Sequence, residues 1–226
     1  MRATRFHLGA SVILALALAV RLAPGPVTDW RGDEGVYIRD AVSVATHGPQ
    51  AFLALAQEYV SSPDWAVWPP PTRIGYIGVS ALACRVLGAY AGPTLALVSM
   101  ISGLLVVWMT IGLGWRLLGP QIGLLAGLLA ATSPLAIHLS RRALQDEFFA
   151  ALVLLALWAW YERWHMTLAL ALAGALLTKE SAVLVLSGIG IAGRPWLPWR
   201  GWRAPVDWRL IRALLAALAV AGLFTL

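Results

Sequence analysis

The chain has 226 residues, of which 60% are apolar and 12% are charged, and its formal net charge is +6. So large an apolar fraction excludes an ordinary water-soluble globular domain. The arginines are scattered at the ends of apolar segments and form no basic soluble module, so we expect no nucleic-acid partner. We therefore predict an integral membrane protein whose partners include the membrane lipid.

The apolar segments predict an all-α fold, a polytopic bundle of transmembrane helices. A helix needs about 20 apolar residues to cross about 30 Å of hydrocarbon. The intervals from Arg85 to Arg116 and from Arg116 to Arg141 contain no Asp, Glu, Lys or Arg and are each long enough for one crossing. Shorter charge-free runs cover residues 8–20, 148–161, 166–178, 181–193 and 213–226. Together they predict about seven crossings in a single module over residues 1–226.

A long polar stretch, about residues 24–73, follows the first predicted helix and is interpreted as an extracytoplasmic loop. It holds six of the eleven acidic residues of the chain. The pattern of apolar and polar residues predicts short juxtamembrane helices over residues 33–46 and 50–60. Trp65, Trp68 and three consecutive prolines at 69–71 then return the chain to the membrane surface, because tryptophan prefers the headgroup zone and three prolines cannot lie inside a helix.

The next apolar segment, Ile74 to Leu87, either spans the membrane or lies along its surface. The acidic pairs Asp33-Glu34 and Asp146-Glu147 can share a site only if an even number of crossings separates them. A spanning segment would give three crossings, and a surface segment two. The surface alternative also places most arginines on the same side as the N-terminus, as the positive-inside rule favours. We therefore favour a juxtamembrane or re-entrant helix.

The adjacent carboxylates of Asp33 and Glu34, with Tyr37 one turn later, are the first candidate site. They follow the first membrane helix, so a base at this position could meet a lipid-borne substrate. A solvated charge pair at a helix start would explain the same residues, because acids favour the first turn of a helix.

A second cluster, Arg141-Arg142 with Asp146-Glu147, follows a predicted crossing. Two arginines on the outer face depart from the positive-inside rule, and phosphate binding is one reason for them to be there. Flanking charges also cap most transmembrane helices without any chemical role.

Lys179 interrupts the apolar run from Met166 to Gly193. Charges at membrane depth are costly, so they indicate either a turn at the surface or a functional group. Two short helices meeting at the outer surface, with Lys179 facing the site, satisfy both explanations.

The four histidines show no metal-ligand spacing, and the sequence has neither a Ser/His/Asp grouping nor a glycine-rich phosphate loop. These absences disfavour a hydrolase and a nucleotide-binding ATPase.

Taken in order, these residues resemble the GT-C glycosyltransferase superfamily, particularly the branch of bacterial protein mannosyltransferases, aminoarabinose transferases and RgtA/B/C/D-like enzymes. The resemblance covers about residues 8–190. The motifs that carry it are Asp33-Glu34, Tyr37, Pro69-Pro70-Pro71, Leu87-Gly88, Ser140-Arg141, Asp146 and Leu176-Leu177-Thr178-Lys179. Members of this superfamily are usually longer, so we expect a truncated enzyme or the N-terminal portion of one.

The resemblance implies transfer of a sugar from a polyprenyl-phosphate donor to a glycan, lipid or protein acceptor. It further implies inversion at the anomeric carbon and an extracytoplasmic site in a prokaryotic plasma membrane. The implied catalytic residues are Asp33 as general base, Glu34 as its neighbour and Asp146 as a second acid. The implied substrate-binding and phosphate-binding residues are Tyr37, Arg141, Arg142, Glu147 and Lys179. Whether a divalent cation acts as a cofactor is left open.

Two alternatives belong to other classes of protein. A transporter or flippase-like protein could use the intramembrane charges to line a pathway, although no inverted repeat is detectable. A non-catalytic truncated subunit would instead act as the partner of a complementing membrane subunit.

Overall fold

The helices follow one another with short turns throughout the part of the chain that the computed structural model describes, residues 2–23, 32–61, 69–88, 91–192 and 208–225. In these ranges every regular element is an α-helix. The helices are α1 (Arg2–Leu22), α2 (Asp33–His47), α3 (Ala51–Ser61), α4 (Ile74–Leu87), α5 (Ala91–Leu118), α6 (Pro120–Thr132), α7 (Pro134–Ser140), α8 (Asp146–Tyr161), α9 (His165–Leu176), α10 (Ala182–Ala192) and α11 (Trp208–Thr225). The predicted all-α fold is confirmed, and the two short loop helices lie within one residue of their predicted bounds.

Two of the described helices are long and apolar enough to cross a membrane: α5, and α1 over Thr4–Leu22. At about 1.5 Å per residue α5 is about 42 Å long, which exceeds the roughly 30 Å of hydrocarbon. The consecutive helices α6 and α7 count as a third candidate if they form one broken span. The predicted membrane-helical character is confirmed, whereas the count of about seven crossings stays a prediction.

The break between α6 and α7 bends the pair by 60°. Proline disfavours helical geometry in the residue before it, and Ser133, which precedes Pro134, is extended with φ −60° and ψ 119°. The Ser133 side chain then accepts a hydrogen bond from the amide of Ala136 at 3.4 Å and caps α7. The bend therefore follows directly from the Ser-Pro pair.

The chain divides into two compact units, Met1–Ala151 and Leu152–Leu226. In the first, α1 packs against α5 and α6 through Phe6, Ile13, Ala17, Val107, Ile111 and Ala131. In the second, α9 and α11 pack together with α10 and the later part of α8 around Leu168, Leu172, Ile189 and Ala217. The interpretation of residues 1–226 as one module stays a prediction.

Another buried cluster of the first unit joins α2, α3, α4 and α5. At about 1.5 Å per residue α4 is about 21 Å long, which is too short to cross about 30 Å of hydrocarbon. Its buried side chains Tyr76 and Ile77 contribute to this cluster, whereas Leu82 and Val86 are exposed. The length and packing of α4 agree with the surface alternative for Ile74 to Leu87, which stays a prediction.

Helices α5 and α6 approach closely because α6 carries glycines at the contact. A Cβ atom added to Gly123 would lie 2.6 Å from both the carbonyl oxygen of Ile111 and the amide nitrogen of Trp115. Both atoms belong to the backbone of α5, so no side-chain rotation can make room for it. The spacing of these two helices therefore depends on Gly123.

We expect Gly123→Ala to destabilise the protein by about 1 to 3 kcal/mol, the usual cost of overpacking, because the two helices must move apart. The measurement is thermal unfolding in detergent micelles. Gly78→Ala in α4 is the matched control, since a Cβ atom at Gly78 would meet nothing within 4 Å. Equal unfolding temperatures for the two variants would contradict the proposed close contact.

Candidate functional site

Helix α2 places its predicted site residues in different environments. Asp33, the first residue of the helix, is exposed, whereas Glu34 and Tyr37 are each only 1% exposed. Glu34 and Tyr37 are three residues apart and therefore lie on the face that packs into the protein. The acidic first turn also suits the partial positive charge at a helix N-terminus.

The Glu34 carboxylate joins α2 to the turn between α7 and α8. Its Oε1 atom accepts a hydrogen bond from the backbone amide of Ala143 at 2.9 Å, and its Oε2 atom accepts one from Nη2 of Arg142. Arg142 also contacts Nε2 of His138 through Nη1 at 3.5 Å. We call the bonds from Glu34 to Arg142 and Ala143 the Glu34 clasp, and they hold the turn that leads directly into Asp146.

Asp33 and Asp146 both lie close enough to Tyr37 to act on its phenol electrostatically. Burial raises the pKa of Tyr37 to about 12, the Arg73 guanidinium opposes that rise, and the two carboxylates add to it. The phenol is consequently neutral at physiological pH and cannot serve as a base. The two predicted catalytic acids therefore both lie within electrostatic range of Tyr37, although they are 113 positions apart in the sequence.

Arg73 belongs to this site but was not among the predicted residues. Its Nη1 atom donates a hydrogen bond to the hydroxyl oxygen of Tyr37, and its guanidinium carbon lies 5.9 Å from the centroid of the Tyr37 ring. The ring of Tyr76 stands edge-on to Tyr37 at 5.5 Å. In the sequence Arg73 is a single cation before an apolar helix, a pattern that ordinary membrane flanks share, so it carries no distinct signal.

The three cations predicted to bind phosphate have different surroundings. Arg141 donates from Nη2 to the carbonyl oxygen of Ala23 at 2.8 Å, and Arg142 belongs to the Glu34 clasp. Lys179 lies in the second compact unit, in the turn between α9 and α10, as the sequence predicted. Phosphate binding by these cations stays a prediction.

Glu147, the second residue of α8, is only 5% exposed, and its Oε2 atom has no hydrogen-bond partner among the described residues. Burial raises the pKa of Glu147 to about 7, with a smaller rise from Asp146 and an opposing effect from Arg21. Arg21, near the end of α1, is 3% exposed and was not predicted as a site residue. Burial rather than sequence position thus distinguishes Glu147 from its neighbour Asp146, which is partly exposed.

The described residues include no group of three or more His, Cys, Asp or Glu side chains placed to hold a metal ion. Asp33 and Asp146 offer two carboxylates near Tyr37, and Arg73 supplies a positive charge beside them.

Glu34→Gln should lower the free energy of unfolding by about 3 kcal/mol, because Arg142, only 25% exposed, loses its charged partner. The exposed pair of Arg39 and Glu58 is the matched control, and Glu58→Gln should cost about 1 kcal/mol or less. Thermal unfolding in detergent micelles measures both. Because Glu34 and Arg142 interact directly, the double variant Glu34→Gln/Arg142→Met should lose less stability than the sum of the losses in the two single variants. Additive losses would contradict the clasp.

The raised pKa of Glu147 predicts a pH dependence of stability. Between the ordinary value of 4.5 and about 7, the folded chain binds more protons at this position than the unfolded chain. The free energy of unfolding therefore falls as pH rises through that window. Glu147→Gln should remove this fall and should be more stable than the wild type at pH 8 by up to about 3 kcal/mol. Identical slopes for both proteins in unfolding experiments from pH 4.5 to 8 would contradict the assignment.

Comparison with known proteins gives one family. A family model described as dolichyl-phosphate-mannose-protein mannosyltransferase matches residues 79–226, which is more than half of the chain. The matched range contains Arg141, Arg142, Asp146, Glu147 and Lys179, and it begins after α2. No curated protein and no solved structure matches the chain. The match confirms the resemblance to the GT-C superfamily, and the chain belongs to the dolichyl-phosphate-mannose-protein mannosyltransferase family of membrane glycosyltransferases.

Proposed function

We propose that this protein transfers a sugar from a polyprenyl-phosphate donor to a glycan, lipid or protein acceptor, with inversion at the anomeric carbon. The proposal places the reaction on the extracytoplasmic side of a prokaryotic plasma membrane. Its main structural support is that Asp33 and Asp146 both lie within electrostatic range of Tyr37. The membership of a mannosyltransferase family supports the class of reaction and of donor.

In the proposed reaction, the acceptor hydroxyl attacks the anomeric carbon in a single displacement. A new carbon–oxygen bond forms while the bond from that carbon to the phosphate oxygen breaks, and the phosphate leaves with the electron pair. The proton of the acceptor hydroxyl passes to the general base. Asp33 is suited to this role because its carboxylate is exposed and follows a membrane helix, within reach of a lipid-borne substrate.

Asp146 is the second acid of the proposed site. It is the first residue of α8, it is partly exposed, and the Glu34 clasp fixes the turn before it. A carboxylate held in this way can orient the acceptor or the sugar without itself taking the proton. Preorganised groups of this kind lower the barrier because they need not rearrange during the reaction.

Positive charge near the leaving group would stabilise the phosphate as negative charge develops on it. Arg141 is the predicted phosphate ligand best placed for this role in the first unit, because it is partly exposed and, among the described residues, donates only to the neutral carbonyl of Ala23. Arg142 is committed to Glu34, so its contribution is to hold the turn. Phosphate binding by Lys179, which belongs to the second unit, stays a prediction from the sequence.

The decisive experiment is transfer of labelled mannose from polyprenyl-phosphate mannose in proteoliposomes. General-base catalysis is worth roughly 10²-fold to 10⁴-fold, so Asp33→Asn should lower turnover by that factor while membrane insertion is unchanged. Asp40→Asn is the matched control, because Asp40 is a carboxylate of the same helix that is buried and paired with Arg39. Turnover by this control should match the wild type.

The outcomes separate the alternatives. Full turnover by Asp33→Asn would remove Asp33 from the mechanism. A wild-type protein that inserts and folds but transfers no sugar, either from polyprenyl-phosphate mannose or from other polyprenyl-phosphate sugars, would instead favour the non-catalytic subunit.

A further inference from the structure

Two charged side chains of the first unit, Arg21 and Glu147, are more than nine-tenths buried and retain polar atoms without partners. Arg21 uses Nη1 to donate to the carbonyl oxygens of Ala17 at 3.1 Å and Ala131 at 3.3 Å. Its Nε and Nη2 atoms have no hydrogen-bond partner among the described residues, and neither does Oε2 of Glu147. Buried donors and acceptors are costly when they are left unsatisfied, so this arrangement requires a further partner.

The opposite charges of Arg21 and Glu147 limit what that partner can be. The two side chains interact electrostatically, yet the open atoms of each do not bond to the other. A phosphate or carboxylate would suit the guanidinium but would be repelled by Glu147, and a metal ion or amine would be repelled by Arg21. A neutral hydroxyl suits both, because its oxygen accepts from the guanidinium while its hydrogen is donated to the carboxylate.

The surroundings of Arg21 place these open atoms next to the proposed active site. A Cβ atom added to Gly103 of α5 would lie 3.2 Å from Nε of Arg21 and 2.7 Å from Cβ of Ser140. Arg21 therefore lies beside the end of α7, immediately before the turn that the Glu34 clasp holds. Glu147 directly follows Asp146, which is partly exposed and belongs to the proposed active site.

We propose that Arg21 and Glu147 form a subsite that binds one hydroxyl group of the transferred sugar and so selects the sugar. This inference rests on the proposed function and adds to it the residues that recognise the sugar. Sugars carry several hydroxyls that donate and accept at the same time, which is the chemistry that the two side chains require. Discrimination by such a site is strong, because a sugar without that hydroxyl leaves both buried groups unpaired.

The test compares polyprenyl-phosphate mannose with its 2-deoxy, 3-deoxy, 4-deoxy and 6-deoxy analogues in proteoliposomes. For the wild type, kcat/KM should fall roughly tenfold or more with one analogue in particular, as expected when charge-assisted hydrogen bonds are lost. Glu147→Gln and Arg21→Gln should lose a similar factor with the complete donor. With that one analogue the two variants should show no further fall in kcat/KM. With the other analogues the effect of the substitution and the effect of the missing hydroxyl on kcat/KM should add.

A conservative change at Arg21 separates sugar recognition from stability. Arg21→Lys keeps the positive charge, so it replaces Arg21→Gln where that variant folds poorly, and it should retain part of the discrimination between donors. Asp40→Asn is the matched control, a buried acid with an unpartnered oxygen on α2, and it should leave the ranking of the donors unchanged. Equal losses with all donors in the Arg21 and Glu147 variants would overturn the subsite and indicate a purely structural pair.

A wild type that transfers none of these sugars would contradict the proposed function instead. The subsite is then judged by direct binding of the same donors to the wild type and the two variants in lipid nanodiscs. Weaker binding by both variants, confined to donors that carry one particular hydroxyl, would support it. Equal binding by all three proteins would overturn it.

Discussion

The buried carboxylate of Glu34 is the contact on which the arrangement of the first unit's acids depends. It bonds to a side chain and a backbone amide that are 108 and 109 residues away in the sequence. A buried charge is tolerated only when its lone pairs are satisfied, so α2 and the turn before α8 can occupy few other positions relative to each other. This constraint brings Asp146 towards Asp33 and Tyr37.

The same physical rule separates the charged residues of the site by role. Asp33 and Asp146 keep contact with solvent, as groups that meet a substrate must, while Glu34 and Arg142 use their charges on each other. Arg21 and Glu147 are buried as well but are incompletely satisfied. Burial and hydrogen bonding therefore divide these charged residues into exposed, mutually paired and incompletely satisfied groups, to which the proposals assign reaction, positioning and recognition.

For the fold, the sequence was sufficient wherever the answer depends on local composition. Runs of apolar residues specify helices in lipid, because the bilayer offers the backbone no other hydrogen-bond partners. The two loop helices are likewise local. The break at Ser133-Pro134 also has a local cause, but the sequence was predicted to form one uninterrupted crossing there. The position of Ile74 to Leu87 relative to the membrane is not local, because a mostly apolar segment of fourteen residues is compatible with a short span or a surface helix. The packing of α4 on α2 and α5 agrees with the surface helix, which stays a prediction.

For the site, the sequence by itself determined which residues could carry chemistry. Carboxylates and arginines at the ends of membrane helices are few, and their order carried the resemblance that the family match confirmed. Only the tertiary structure decided that Glu34 bonds to Arg142, that Arg73 bonds to Tyr37, and that Arg21 and Glu147 lie near each other. The physical reason is that hydrogen bonds and burial depend on distances between helices remote in sequence, and residue type and spacing within one helix contain no information about those distances.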